Sequence, residues 1–207
     1  AQVEIPWQSW VDLRKAGYHL IIHFAPTCSS MTRGRQRSEV TKVRDAENPW
    51  GLPDLKGKNL SDVQAANKLA VATDFLAGQA HTILGADVSV ENPEPSFIWL
   101  LGLFEWPGVI DTVFSPCMLG DEIFKPTRIK TLGIQLPTMT PRCAWYNTMT
   151  TFKCGRTRST PHVHLSSNNP GEPRMSTSAA ASYQPGTVAA WARDSEARCL
   201  QPVSYTH

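Results

Sequence analysis

A thiol and a carboxylate each follow a short apolar segment of this 207-residue chain. Cys28 lies four residues after segment 18–24 (YHLIIHF), and Glu91 lies directly after segment 86–90 (ADVSV). A cysteine thiolate is a nucleophile, and a carboxylate can bind a proton or stabilise a developing positive charge. If the two segments are neighbouring parallel strands, both groups face one crevice at the carboxyl ends of the strands. Alone, each residue is typical of an inert cysteine or a solvated acid. Together they predict a site.

The elements that must position these residues alternate between strand-like and helical segments. Apolar periodicity predicts helices at 6–16, 59–84 and 95–101 and within 178–199. The longest of them is expected to break or end at Gly78. Short apolar runs predict strands at 18–24, 86–90, 109–114 and 128–132. This order predicts an α/β fold with a mostly parallel sheet.

The carboxyl-terminal third differs from the rest in composition. Segment 138–173 is rich in Thr, Ser, Asn and Pro and shows little periodicity, which indicates an irregular, loop-rich portion. We therefore expect residues 1–137 to form the α/β core. Residues 138–207 are expected to form a loop-rich basic segment plus a C-terminal helix, packed on the same domain.

Charge is segregated along the chain although the net charge is only +2. Residues 69–124 contain eight acidic residues and no Lys or Arg, whereas residues 123–171 contain seven basic residues and no acid. A further basic cluster alternates within MTRGRQR, at Arg33, Arg35 and Arg37. Such asymmetry favours a basic surface for a polyanion. The alternative is that folding interleaves these segments and cancels their fields.

Several classes of protein are excluded by the apolar and cysteine patterns. No stretch approaches the roughly 20 apolar residues of a membrane span, and no basic region followed by an apolar run marks a secretory signal. The five cysteines are widely and irregularly spaced, unlike those of a disulfide framework. An intracellular, reduced protein without membrane partners is expected.

Four segments together resemble a known family. HFAPTCSSMTRGR resembles a Pro-Cys catalytic loop, and SVENPEPSFIW resembles a Glu-Asn motif in its ENP form. CMLGDEIFKPTRIKT is similar to a Lys-Pro-Thr block, and YQPGTVAAWA is similar to a closing helix. Over roughly residues 10–200, the chain resembles the DNA (cytosine-5) methyltransferases, in particular divergent phage, viral and mobile-element members.

The resemblance implies that the α/β fold is partial Rossmann-like, with a methyltransferase-type, mostly parallel sheet. It also implies a covalent mechanism. Carbon 5 of cytosine is too electron-poor to take a methyl group directly, so a thiolate must first add to carbon 6. Cys28 would be that thiolate, and Glu91 would hold the exocyclic amine and the protonated ring nitrogen 3. S-adenosylmethionine would donate the methyl group. Asn92 would help to fix the carboxylate and, with Pro26, would lie on the cofactor side.

The resemblance also implies a nucleic-acid partner. The target base must leave the duplex to reach the crevice. Lys125 and Arg128 would lie near the flipped base or its phosphate, and the basic run 125–158 would hold the backbone. Arg33, Arg35 and Arg37 would belong to the nucleic-acid surface and would lower the pKa of the Cys28 thiol. DNA is the expected substrate, with RNA left open.

The chain departs from the family pattern before Cys28. The family has a strand and a glycine-rich turn there, of the Phe-x-Gly-x-Gly type, which binds the cofactor. The residues preceding Cys28 contain a single glycine, Gly17. Thr27 also stands where the family has proline, and Met31 stands where an aromatic residue is usual. The resemblance thus implies that residues 1–137 are a truncated catalytic α/β core. The chain is expected to be either a fragment, with a second chain supplying the amino-terminal half, or an intact but inactive relative that retains a nucleic-acid-binding surface.

Other classes of function stay open. The chain could be a non-catalytic nucleic-acid-binding relative, whose DNA binding would survive loss of Cys28. It could be a small zinc-stabilised module, with two thiols and two imidazoles at Cys143, Cys154, His162 and His164. Their spacing lacks the close cysteine pair of common zinc sites, so no metal ligands are assigned. A cysteine hydrolase would need His23 or His81 as the base of Cys28.

Overall fold

The computed structural model describes residues 7–33, 35, 40–121, 125–143 and 185–200. Within these residues the helices are α1 (Trp7–Lys15), α2 (Gly57–Leu84) and α3 (Pro185–Cys199). The strands are β1 (Ile21–Phe24), β2 (Asp87–Pro93), β3 (Ile110–Phe114) and β4 (Thr127–Leu132). Short 3₁₀ turns occupy Phe97–Leu100, Pro116–Leu119 and Pro137–Met139. No helix in these ranges is both long and apolar enough to span a bilayer.

The four strands form one open sheet in the order β1-β2-β4-β3. β1 and β2 pair in parallel, with Ile21 opposite Asp87 and Phe24 opposite Val90. α2 connects these two strands, which makes β1–α2–β2 a βαβ unit. The predicted α/β class is confirmed. The sheet is mixed, so its strands are not all parallel.

The long helix α2 packs through small side chains. Its buried residues recur every three or four positions: Val63, Ala66, Ala70, Thr73, Ala77, Ala80 and Leu84. This spacing places them on one helical face. The prediction that the helix breaks or ends at Gly78 is wrong. A Cβ on Gly78 would lie 3.3 Å from Trp106 Nε1, so the indole packs against the helix where a side chain is missing.

The core of the βαβ unit lies between α2 and one face of β1 and β2. Leu20, Ile22, Val88 and Val90 belong to the same buried cluster as the alanines of α2. Full burial of a side chain such as valine or isoleucine stabilises the fold by about 1.5–3 kcal/mol. Because side chains alternate along a strand, Ser89 faces away from this core.

Two predicted boundaries differ from those observed. β2 continues to Pro93, so Glu91 and Asn92 lie inside the strand and not after it. The helix expected at 95–101 is a short 3₁₀ turn, Phe97–Leu100. Ser96 begins this turn, because its hydroxyl accepts a hydrogen bond from the Ile98 amide at 3.4 Å.

By its internal contacts the chain divides into two compact units. One comprises Ala1–Ile110 and Ile129–Ile134, and the other comprises Asp111–Arg128 and Gln135–His207. The first contains α1, α2, β1 and β2. The expected division at residue 137 stays a prediction.

In the second unit, two buried carboxylates hold α3. Asp121 accepts hydrogen bonds from the amides of Gly186 at 2.8 Å and Thr187 at 3.1 Å. These amides belong to the first turn of α3, whose free N–H groups favour a negative charge. Further along the helix, Asp194 accepts a hydrogen bond from the Thr138 amide at 3.0 Å. The helix predicted within 178–199 is therefore anchored at two points.

Candidate active site

The parallel pairing of β1 and β2 brings the two predicted catalytic segments to one edge of the sheet. Phe24 and Val90 are opposite each other. The chain leaves β1 at residue 25, and Glu91 is the next residue of β2. The Cys28 loop and Glu91 therefore start from the same end of adjacent strands.

A tight turn presents Cys28. Its carbonyl oxygen accepts hydrogen bonds from the amides of Met31 at 3.0 Å and Thr32 at 2.9 Å. The Thr27 hydroxyl accepts a further hydrogen bond from the Ser29 amide at 3.4 Å. The Cys28 side chain is half-buried. The turn thus fixes the backbone of the cysteine while leaving its thiol partly open to solvent.

Residues that follow Glu91 bind both ends of this loop. Asn92 Nδ2 donates to the Pro26 carbonyl at 2.8 Å. The Phe97 amide donates to the Met31 carbonyl at 2.8 Å. The Ser96 hydroxyl also donates to Met31, at 3.4 Å. These contacts tie the loop that carries the thiol to the strand that carries the carboxylate.

Glu91 lies on the polar face of β2. It is only 6% exposed, and the alternation of side chains places it on the same face as Ser89. Ser89 pairs with His23 of β1, and their side chains meet at 2.7 Å between Oγ and Nδ1. Burial lowers the pKa of His23 to about 4. The face that carries Glu91 therefore also carries an imidazole that is neutral at physiological pH.

The structure shows Asn92 bound to the Cys28 loop, while its predicted contact with the carboxylate stays a prediction. Asn92 is 1% exposed, and its Nδ2 is bound to Pro26. Its Oδ1 is buried and has no hydrogen-bond partner in the described part of the chain. Both polar atoms are thus enclosed, and the visible role of Asn92 is to hold the loop.

The arginines predicted to bind nucleic acid differ in their surroundings. Arg33 is exposed, and its guanidinium carbon lies 5.9 Å from the centroid of the Phe97 ring. Arg35 donates to Asn59 Oδ1 at 3.2 Å and lies 3.9 Å from an Asp62 oxygen, so it is bound to α2. Arg37 lies outside the described residues.

Lys125 and Arg128 belong to the second unit. Arg128 Nε donates to both carboxylate oxygens of Asp111, at 2.8 and 3.0 Å, and Nη2 donates to one of them as well. Such a forked ion pair satisfies much of the guanidinium. Lys125 is half-buried, and its carbonyl accepts a hydrogen bond from the Thr127 hydroxyl at 2.8 Å.

The structure shows one residue at the site that sequence reasoning missed. Arg44 is 1% exposed, and Nε donates to the Ser30 carbonyl at 3.0 Å. Nη2 donates to the Ser30 hydroxyl at 3.3 Å and to the Val63 carbonyl at 3.2 Å, while Nη1 donates to Pro49. Burial lowers the pKa of Arg44 to about 10. The segment that begins at Arg44 contains Pro49, Gly51 and Pro53 and reads as a loop, and no local pattern distinguishes Arg44 from a surface arginine.

The zinc alternative falls largely outside the described residues. Of its four candidate ligands only Cys143 is described; Cys154, His162 and His164 are not. Cys143 is 1% exposed and packs against Cys117. Among the residues with described positions, no group of three or more His, Cys, Asp or Glu side chains could bind a metal ion.

Comparison with known proteins adds no relative to this geometry. No family model matches the chain, and neither a curated protein nor a solved structure matches it.

Proposed function

We propose that this chain is a DNA cytosine-5 methyltransferase-like protein, in which Cys28 adds to carbon 6 of cytosine and Glu91 binds the same ring. The observation that carries the proposal is the parallel pairing of Phe24 with Val90. It supports a shared crevice at the carboxyl ends of β1 and β2. A partial Rossmann-like relationship is part of the proposal, and the βαβ unit supports it.

The proposed step forms one bond and breaks one π bond. The Cys28 sulfur bonds to carbon 6, and the π electrons of the carbon 5–carbon 6 bond move toward carbon 5 and ring nitrogen 3. The proton lost by the thiol is balanced by the proton gained at nitrogen 3. Glu91 accepts hydrogen bonds from that N–H and from the exocyclic amine, which stabilises the adduct.

S-adenosylmethionine takes no part in this step. Pro26 and Asn92 do not fit a binding site for it, because Asn92 Nδ2 is bound to the Pro26 carbonyl and the remaining polar atom of that side chain, Oδ1, is buried in a residue that is 1% exposed. When bound, this group would supply an electrophilic methyl group. It stays a proposal drawn from the resemblance, as does a second chain that would hold it.

The nucleic-acid partner rests on an exposed charge beside the loop. Arg33 lies five residues after Cys28 and is exposed, so its guanidinium can reach a phosphate that flanks the target base. DNA is the proposed substrate, and RNA is the alternative substrate to be tested beside it. An intracellular location follows from this substrate and is proposed with it.

Hydrogen exchange at carbon 5 tests the chemistry without a methyl donor. In the adduct, carbon 5 can take a proton from water, and reversal then releases the original hydrogen. DNA or RNA carrying tritium at carbon 5 of cytosine should lose tritium to water when the chain is present. Cys28→Ala should abolish the release, and Cys199→Ala, at an exposed cysteine, should retain it.

Two outcomes would contradict the proposed function. One is the absence of tritium release with either nucleic acid. The other is release that Cys28→Ala leaves unchanged. Salt-sensitive DNA binding that persists in Cys28→Ala without any exchange would identify a binding protein instead.

A further inference from the structure

Arg44 binds the loop that carries the candidate nucleophile. We propose that Arg44 is a positioning residue of this site, which holds the Cys28 loop in place through Ser30. The chemical consequence rests on the proposed function, whereas the positioning itself does not. Arg44 contributes no polar atom to the reaction as proposed, and none of the expectations drawn from the sequence includes it.

The geometry joins three segments of the chain through one guanidinium. Two hydrogen bonds go to Ser30, at the carbonyl and the hydroxyl, and Ser30 lies two residues after Cys28. One goes to Val63 in the first half of α2, and one goes to Pro49. The planar guanidinium can donate in several directions at once. An apolar side chain would bind none of these oxygens, and a lysine ammonium has three N–H donors, fewer than the four hydrogen bonds formed here.

The charge of Arg44 makes this arrangement costly for a purely structural purpose. Arg44 is 1% exposed, and no carboxylate among the described residues forms an ion pair with it. A buried charge is destabilising unless hydrogen bonds replace its lost hydration. Here neutral oxygens supply those bonds, and two of the four belong to Ser30. Loss of the guanidinium would leave the Ser30 carbonyl buried without this donor.

Arg44 holds the middle of the Cys28 loop, whereas residues of β2 and the turn after it hold the two ends. Asn92 binds Pro26 and Phe97 binds Met31 from the segment that follows Glu91. Arg44 binds Ser30, which lies between these two anchored positions. Removal of Arg44 should therefore free the middle of the loop while its ends stay attached to β2.

Alkylation of the intact chain by iodoacetamide, read by peptide mass spectrometry, tests this role. In Arg44→Ala, the rate at Cys28 should rise about tenfold, because the hydrogen bonds to Ser30 no longer oppose local opening. The exposed Cys199 is the internal reference and should not change. Millimolar guanidinium should return the Cys28 rate toward that of the unaltered chain, whereas ammonium at the same concentration should not.

Rescue by guanidinium and not by ammonium would assign the change at Cys28 to the vacated guanidinium position, because both ions carry the same charge and only guanidinium has the planar set of donors. If Arg44→Ala does not fold, Ser30→Ala takes its place. That variant removes only the hydroxyl acceptor and should raise the Cys28 rate about threefold.

The proposal is overturned if a folded Arg44→Ala chain shows an unchanged Cys28 rate. It is equally overturned if guanidinium fails to restore that rate, or if the Ser30→Ala chain used in its place shows no rise. The unaltered chain shows which proposal has failed. Absence of tritium release from it overturns the proposed chemistry, while the alkylation pattern still decides the role of Arg44.

Discussion

At the level of single residues, the site is organised by hydrogen bonds to backbone carbonyls. The carbonyls of Pro26, Ser30 and Met31 are bound by Asn92, by Arg44 and by the Phe97 amide. Each of these bonds stabilises the folded chain only modestly, but loss of a donor leaves a buried acceptor unsatisfied. The candidate thiol therefore depends on residues that do no chemistry themselves.

His23 makes the stability of the chain sensitive to acid. Its pKa is about 4 in the folded chain, against an ordinary value of 6.5, because burial disfavours the charged imidazole. Between these values the unfolded chain binds a proton that the folded chain does not, so stability falls as pH falls. We expect the free energy of unfolding in urea to drop by about 2 kcal/mol from pH 7 to pH 5 through this group.

The control for this prediction is His23→Gln, which removes the imidazole and should show a shallower decline. Identical pH dependence in the two chains would contradict the prediction. Below pH 4 the contribution of His23 should level off, because the folded and unfolded chains are then both protonated at this position.

At the level of elements, local sequence patterns predict most segments because the periodicities are strong. α1 was expected at 6–16 and is Trp7–Lys15, and β4 was expected at 128–132 and is Thr127–Leu132. The failures have long-range causes. Gly78 lies inside α2, and the Trp106 indole packs beside it, where a side chain would otherwise be. The glycine therefore serves close packing and does not mark the end of the helix. The hydrogen bonds of Arg44 join segments that are distant in the chain, so the local spacing of residues around Arg44 does not predict them.

Gly133, just after β4, is an element boundary that only glycine fits. Its φ is +81°, and a Cβ would lie 2.0 Å from Asp87 Oδ1 and 3.4 Å from His81. Asp87 also pairs with His19 at 2.8 Å, so it cannot move without loss of that contact. Gly133→Ala should lower the free energy of unfolding by about 2–4 kcal/mol, measured by urea denaturation.

Gly102→Ala is the matched control for this substitution. Gly102 has a similar φ of +71°, but nothing lies within 4 Å of the Cβ position. Only backbone strain of about 1 kcal/mol is expected there. Equal losses in the two variants would show that the clash with Asp87 does not matter.

For the whole molecule, folding pairs charges that the sequence separates. Arg128 is bound to Asp111, and Lys130, which is 3% exposed at its side chain, lies 2.5 Å from Glu105. Each pair joins a base of the basic stretch to an acid of the acidic stretch. The segregation seen along the chain is thus partly cancelled, as the alternative interpretation of the charge pattern anticipated. Arg33 stays exposed, and charge counts along a chain cannot distinguish it from the paired arginines.

If the chain binds DNA as proposed, salt titration of that binding measures what Arg33 contributes. A lysine or arginine that contacts a phosphate releases about one counterion. Arg33→Gln should therefore reduce the slope of log affinity against log salt by about one, with a similar loss of affinity on every sequence. Arg193→Gln makes the same charge change at an exposed position of α3 and should leave the slope nearly unchanged. Equal slopes for the Arg33 variant and the unaltered chain would remove Arg33 from the interface.

The double anchoring of the Cys28 loop has a consequence for the entropy of binding. The loop residues lose conformational entropy during folding, because hydrogen bonds to the carbonyls of Pro26, Ser30 and Met31 fix their backbone. An incoming base would then meet a thiol whose backbone needs no further ordering, so less of the binding free energy is consumed in arranging the nucleophile. Under the proposed function, such preorganisation would place the main conformational demand of binding on the nucleic acid, which would have to unstack its base.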